Sequence, residues 1–525
     1  MHRLLLLLAL VLFSALFSTP TAAKWHVAES NHFVVYADDK ADDVERFSEY
    51  LERYHSAMEF LTGRKLPAPS PSNRVVIFVV GDRNEFREFA GSREIAGFYI
   101  PRAGGSRAFV QSVSFSSRET DFSLIVLMHE YAHHFIMSSM RTSLPRWVNE
   151  GAAEFYASTR FKDDGSIIVG RPALHRRGEL IYAREVPAEE LFDHEQYSRN
   201  RGKRSDAFYG RSWLLYHYLH FSDERAGQMG EYLHAIAGGK SSIDAAREVF
   251  GDLDKLEKEL DAYARSRKMT VYNLSPEKVS VGAITVRELP EGEAEMMPLR
   301  IQSQRGVDRE EALELVEEAR EIARKYPNDP GVQTALAEAE FDAGNDDAAI
   351  AAADRAIALD PDRPNAYVQK GYALFRKAET AEDRDAAYTE AMKPFSALNR
   401  RENDHPLPLI YYYRSFAERG LEPPENARHA LERAALLAPF DHGLWFQVAV
   451  MQAQEGKIDL ARRSLAPVAS NPHGGPLAER ASLFRDLLEN AVEGEPSNPP
   501  VIVEIPDIIT DDGGENDGDG EARQP

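Results

Sequence analysis

A chain of 525 residues is long enough for two or three domains, each with its own core, and its net charge of −23 excludes a general affinity for nucleic-acid phosphates or anionic membrane surfaces. The absence of cysteine excludes disulfides, thiolate metal ligands and a lipid-modified N-terminal cysteine. Any bound metal must therefore rest on histidine and carboxylate.

Residues 1–23 combine a positive head at Arg3, an apolar run and small residues up to Ala23, the pattern of a cleavable secretory signal. The run is shorter than the roughly 20 apolar residues that span a bilayer, and no later segment is long and apolar enough to do so. The expectation is an exported protein, periplasmic or extracellular, with no stable membrane insertion after cleavage.

The segment 24–270 reads as one α+β domain. A strand is expected at 32–37 and a helix over 42–61, whose Val44, Phe47, Leu51, Tyr54 and Met58 recur at spacings of three and four and mark a buried stripe. RVVIFVVG at 74–81 predicts a further strand, a short helix is expected around residues 85–89, and 97–102 with 106–113 predict a hairpin. Thr120 or Asp121 can cap the next helix, SLIVLMHEYAHHFIM, which is apolar on most sides and so is expected to be buried.

That helix carries His129, Glu130 and His133. Histidines four apart project from one helix face and can close on a single zinc ion, with Glu130 between them in reach of its water. Two imidazoles in a buried helix are costly to desolvate unless a metal or hydrogen bonds compensate them. The alternative is that the three are ordinary residues that fall by chance in this spacing. His134 points about 100° away from His133 and is expected to be packed or hydrogen-bonded rather than a ligand. A second helix, VNEGAAEFYAS, follows a short loop and can return antiparallel, which makes Glu150 the best third ligand.

HEYAH followed by WVNEGAAEF resembles the gluzincin metallopeptidases of the peptidase MA clan. The resemblance implies a zincin-like fold, one Zn2+ per chain held by His129, His133 and Glu150, and hydrolysis of peptide bonds. The stretch between the motifs is about two residues shorter than in the aminopeptidase members, which leaves Glu154 open beside Glu150 as the third ligand, with the NEG context favouring Glu150. Thermolysin-like relatives imply a supporting role for Glu154 behind a ligand histidine; a solvated helix carboxylate is the alternative. The family also places an oxyanion-binding tyrosine on a later helix. Here that corresponds to Tyr209 in YGRSWLLYHYL, with Tyr216 and His217 as weaker candidates and a plain core stripe as the competing reading.

With zinc in place Glu130 would act as general base and then general acid, and Tyr209 would donate to the oxyanion. No GxMEN-like stretch precedes His129, so an endopeptidase is favoured over an aminopeptidase, and the strand at 106–113 is expected to offer an edge to an extended substrate. Residues 231–267 are expected to complete an all-helical second half of the domain.

Residues 271–307 are read as a connector. Over 308–490, Ala349, Ala356 and Pro361 keep the offsets of Ala427, Ala434 and Pro439, and this resembles tetratricopeptide repeats at a period of about 34 residues. An all-α solenoid that binds a protein partner follows from that resemblance. The acidic stretch 491–525 is expected to be disordered. Two functions compete: an exported zinc peptidase acting on peptide or protein, and a catalytically weak zincin-like scaffold whose repeats mediate interaction or assembly in the cell envelope. Hydrolysis of a non-peptide amide is a third possibility.

Overall fold

The computed structural model describes residues 24–81, 86, 89, 97–111, 121–140, 143–202, 205–471 and 473–499. The signal expected at 1–23, most of the helix expected around 85–89, and the end of the acidic tail lie outside the described residues. Among the described residues no helix is long and apolar enough to cross a membrane.

Six strands form the main sheet, in the order β4 (Gly97–Ile100), β5 (Arg107–Val110), β3 (Val75–Val79), β2 (Phe33–Ala37), β1 (His26–Glu29) and β9 (Thr285–Glu288). β2, β3 and β5 run parallel, and the remaining pairs are antiparallel. β2 is buried along its whole length, as a strand covered on both faces must be. One cover is α1 (Ala41–Thr62), whose predicted stripe of Val44, Phe47, Leu51, Tyr54 and Met58 is buried to the last residue. Beside it lies α2 (Phe122–Ser139), capped by Asp121, which accepts from the Ser123 N–H. The Tyr54 hydroxyl donates to the Met128 carbonyl at 2.8 Å and so ties α1 to α2.

After α2 come α3 (Arg146–Ala157), short helical turns between residues 174 and 200, α4 (Phe208–Phe221), α5 (Gln228–Ala237), α6 (Ser242–Phe250) and α7 (Leu253–Ala264). This half is not all-helical as expected. It contains a three-stranded sheet of β6 (Arg160–Phe161), β7 (Ile167–Val169) and β8 (Tyr272–Leu274). The turn joining β6 to β7 passes through Gly165 at φ 81°, so the segment FKDDGSIIV held a turn signal for a hairpin. β5 is also not an edge strand: it pairs with β3 and β4, and β4 is the outer strand.

The expected connector 271–307 carries strands and a long helix over most of its length. β9 returns to pair with β1, and α8 (Glu291–Arg305) follows. On one side of α8, Met297 and Ile301 cover the open face of the main sheet with Trp25, Phe78 and Phe109. On the other, Met296 and Leu299 pack among the first repeat helices. A sequence with apolar residues on two faces shows weak periodicity, which is why α8 looked like a linker.

The repeats are antiparallel helix pairs: α9 (Arg309–Lys325), α10 (Pro330–Asp342), α11 (Asp346–Leu359), α12 (Pro364–Glu379), α13 (Arg384–Arg401), α14 (Pro406–Ala417), α15 (Glu425–Leu437), α16 (His442–Gln454), α17 (Ile458–Ala469) and α18 (Pro476–Glu489). Ala349, Ala356, Ala427 and Ala434 are wholly buried at helix contacts. Part of the expected disordered tail is ordered, since the Gly494 and Ser497 N–H groups donate to the Gly456 and Ala453 carbonyls at 2.8 Å.

The solenoid is docked on the first domain. Ser72 donates from its N–H and hydroxyl to Glu402, Asn73 donates to the Leu437 carbonyl at 2.8 Å, and Arg107 donates to Gln304 on α8 at 2.9 Å. Asp441 does two jobs. Its Oδ1 caps α16 by accepting from the Leu444 N–H at 2.9 Å, and its Oδ2 accepts from the Ala103 N–H at 2.8 Å. Asp441→Ala removes the cap and strands a buried N–H, and should cost about 1–3 kcal/mol in chemical denaturation; an unchanged midpoint would show that this contact does not hold the halves together.

Candidate metal centre

The site is built where α2 and α3 pack. His129 and His133 are both buried, and their Nε2 atoms lie 3.0 Å apart. Glu150 Oε2 is 3.3 Å from His129 Nε2 and 3.4 Å from His133 Nε2. One atom from each of the three residues therefore converges on a common point, all within 4.8 Å of one another. Glu154, one turn further along α3, is on the opposite edge of His129, with Oε1 3.1 Å from Nδ1. Between the two carboxylates left open by the sequence, Glu150 is the one on the side where the histidines meet.

What sets α3 in place is a glycine. At Gly151 α3 crosses α4 so closely that a Cβ would sit 2.5 Å from the Ser212 carbonyl oxygen and 2.9 Å from the Tyr216 Cβ. A backbone atom cannot yield as a flexible side chain would, so this position in NEGAAE accepts only glycine without displacing the helix. Tyr216 is consumed by this contact and by packing on Phe155, and His217 is held by the Tyr263 hydroxyl at 2.8 Å and the Gly170 carbonyl at 2.9 Å. Both lie in the core and not at the metal centre.

Charge distinguishes the two glutamates. Burial would raise the Glu154 carboxyl, but Arg176 and His175 beside it hold it well below the usual range. Arg176 donates to Glu154 Oε1 at 2.6 Å and His175 Nε2 lies 2.6 Å from Oε2. Glu150 has no such support. It is wholly buried and only the His129 and His133 imidazoles meet its carboxylate, yet they hold it well below the usual carboxylate range against the pull of burial. His129 feels burial pushing its pKa down, but the carboxylates on its two edges outweigh this and raise it to about 10. An ionised carboxylate buried at a cost of several kcal/mol, with two imidazole nitrogens beside it, fits a divalent cation held by His129, His133 and Glu150.

Other residues complete the surroundings. Asn149 Oδ1 lies 3.1 Å from His133 Nδ1, the place from which an imidazole is oriented when its other nitrogen faces a metal. The Tyr209 ring is 6.3 Å from that of His129, with the Arg176 guanidinium 4.7 Å above it. Glu130 is half-buried and lies in the electrostatic surroundings of Tyr99 and His473. His134 turns elsewhere: its Nδ1 is 2.5 Å from the Tyr99 hydroxyl, its ring packs on Phe440 of the repeats, and burial lowers its pKa to about 3. Sequence reasoning missed Asn149, His175, Arg176 and His473. Asn149 stood in the NEG motif and was findable; the others carry no spacing that ties them to HEYAH.

Residues 330–373 match the tetratricopeptide repeat family, so the chain carries a tetratricopeptide repeat, and that match lies wholly in the second half. No curated protein matches the chain. Among solved structures, one titled "MamA RS-1 ArsTM double mutant" is similar over 34% of this chain and 93% of its own, with 18% identity and a TM-score of 0.27. That likeness is too slight to add to the description of the fold.

Two expectations follow. Gly151→Ala should displace α3, lower stability by about 1–3 kcal/mol and reduce metal uptake, read by thermal melting and elemental analysis; a variant with full metal content would show that the close crossing is dispensable. In competition with a chromophoric chelator, Glu154→Gln should weaken zinc binding about 10- to 100-fold, while Glu150→Ala should abolish stoichiometric uptake. Equal affinities for wild type and Glu150→Ala would remove Glu150 from the ligand set.

Proposed function

We propose that this protein is an exported zinc-dependent peptidase of gluzincin type whose tetratricopeptide-like domain binds protein. The observation that carries the first half is the buried Glu150 carboxylate, which two imidazole nitrogens meet at 3.3 and 3.4 Å at the point where their ligand atoms converge. Export rests on the leader-like pattern of residues 1–23.

When bound, a zinc ion supplies Lewis acidity toward a carbonyl oxygen and toward water. The chain supplies the rest. Glu130, between the ligand histidines on α2, accepts a proton from the attacking water and returns it to the leaving amine. Burial, reinforced by the charge of Glu150, raises the Tyr209 phenol above its ordinary value, so its hydroxyl stays protonated at neutral pH and can donate to the charge that develops on the carbonyl oxygen. Glu154 and Asn149 hold the histidines by the nitrogens that face away from the metal position. β4, the outer strand of the main sheet among the described residues, carries Tyr99 next to α2, a position at which an extended peptide can add to the sheet, which supports an endopeptidase.

A second reading is favoured by a separate observation, the repeat match at 330–373. Repeats of this kind support interaction with a protein partner, and on that reading the first domain is a scaffold with little turnover. The two are separated by one substitution. Glu130→Gln should keep one zinc per chain and lose at least about 100-fold in cleavage of a quenched-fluorescence peptide library. Equal activity in the two proteins would remove Glu130 as the base, and a wild-type chain purified without zinc and without activity would leave the interaction reading alone.

A further inference from the structure

The wall of the metal centre opposite α3 belongs to the other half of the molecule. His473 is on the turn between α17 and α18, near the end of the repeats, and its ring centroid is 5.2 Å from that of His133 at an interplanar angle of 85°. The charges it senses are those of the site: Glu150, Glu130, His133 and His129. Whereas His133 is 2% exposed, His473 is open to solvent, so it stands at the mouth of the centre and not in its floor.

The turn is built to hold it there. Asn471 accepts the Gly474 N–H through its carbonyl at 3.0 Å and donates from its side chain to the Gly474 carbonyl at 3.1 Å, while Gly474 and Gly475 adopt φ values of 72° and 91° that other residues avoid. Ser143, just before α3, donates to Ser470 at 2.5 Å and fastens the turn to the first domain. On the far side of α2, Phe440 packs on His134 at 4.3 Å and Asp441 holds the Ala103 N–H. The helix that carries HEYAH is thus gripped by the repeats on two sides. His473 itself is not among the groups whose atoms converge within 4.8 Å, so its ring borders the ligand set without joining it.

We propose that His473 is a substrate-contacting residue of the metal centre, supplied by the repeat domain, so that the site is complete only while the two halves are docked. This rests on the peptidase reading given above. An imidazole at this place offers one N–H donor or one acceptor to the peptide group of a substrate laid across Glu130. The repeats then form one wall of the substrate cleft.

The test uses the full chain loaded with cobalt, wild type beside His473→Ala and His473→Gln, with an N-acyl dipeptide hydroxamate as probe. In a histidine-labelled sample the His473 ring signal, identified by its loss in either variant, should be shifted or broadened by the cobalt. The visible spectrum of the cobalt should be the same in all three proteins, and hydroxamate affinity should fall about 10-fold in His473→Ala with partial recovery in His473→Gln. An unshifted His473 signal, or unchanged hydroxamate affinity in His473→Ala, overturns the contact. A spectrum altered in the variants makes His473 a ligand and also overturns it. A chain that takes up no cobalt refutes the metal reading itself, and this inference falls with it; normal uptake with a normal hydroxamate response in His473→Ala overturns the inference alone.

Discussion

One ionised carboxylate, shut away from water, sets the terms for the first domain. Glu150 is fully enclosed between α2 and α3, and its carboxylate is met by the His129 and His133 imidazoles. Its neighbour Glu154, equally buried, shows what a satisfied carboxylate looks like here: it takes Arg176, His175 and the edge of His129. The contrast between two glutamates one turn apart on the same helix separates a charge paired with a guanidinium from one met by imidazoles alone. His129 joins them, with one nitrogen toward each.

Holding Glu150 in that position depends on backbone contact more than on side chains. α3 can approach α4 because residue 151 has no Cβ, and α2 is fixed to the sheet through Tyr54 and the cover of α1. Layers pinned this way leave little freedom at the converging atoms of His129, His133 and Glu150. The same packing takes Tyr216 and His217 into the core and leaves Tyr209, at the start of α4, beside His129.

The two halves are less separate than their compositions suggest. β9 adds to the main sheet after the whole helical half has been built, and α8 serves at once as cover for that sheet and as the first layer of the solenoid. The solenoid contacts β5, the β4–β5 turn and α2 of the first domain. A repeat surface that packs on its own N-terminal domain has fewer faces left for another partner.

The sequence alone determined what depends on short-range spacing. The stripe of α1, the strands at 33–37 and 75–79, the β4–β5 hairpin, the repeat alanines, and the placing of His129, Glu130, His133 and Glu150 on two adjacent helices all follow from periods of two, 3.6 or about 34 residues. Asn149 was within reach of the same reasoning. Only the tertiary structure decided which glutamate faces the histidines, that β5 is internal, that residues 271–307 are sheet and helix, and that His175, Arg176 and His473 come to the site from about 20 to more than 300 residues away. These are questions of which surfaces meet, and local periodicity says that a face will be buried without saying against what. His473 is the clearest case, since a histidine between a proline and two glycines reads as a turn, and the chemistry beside it appears only when the last repeat is folded back over α2.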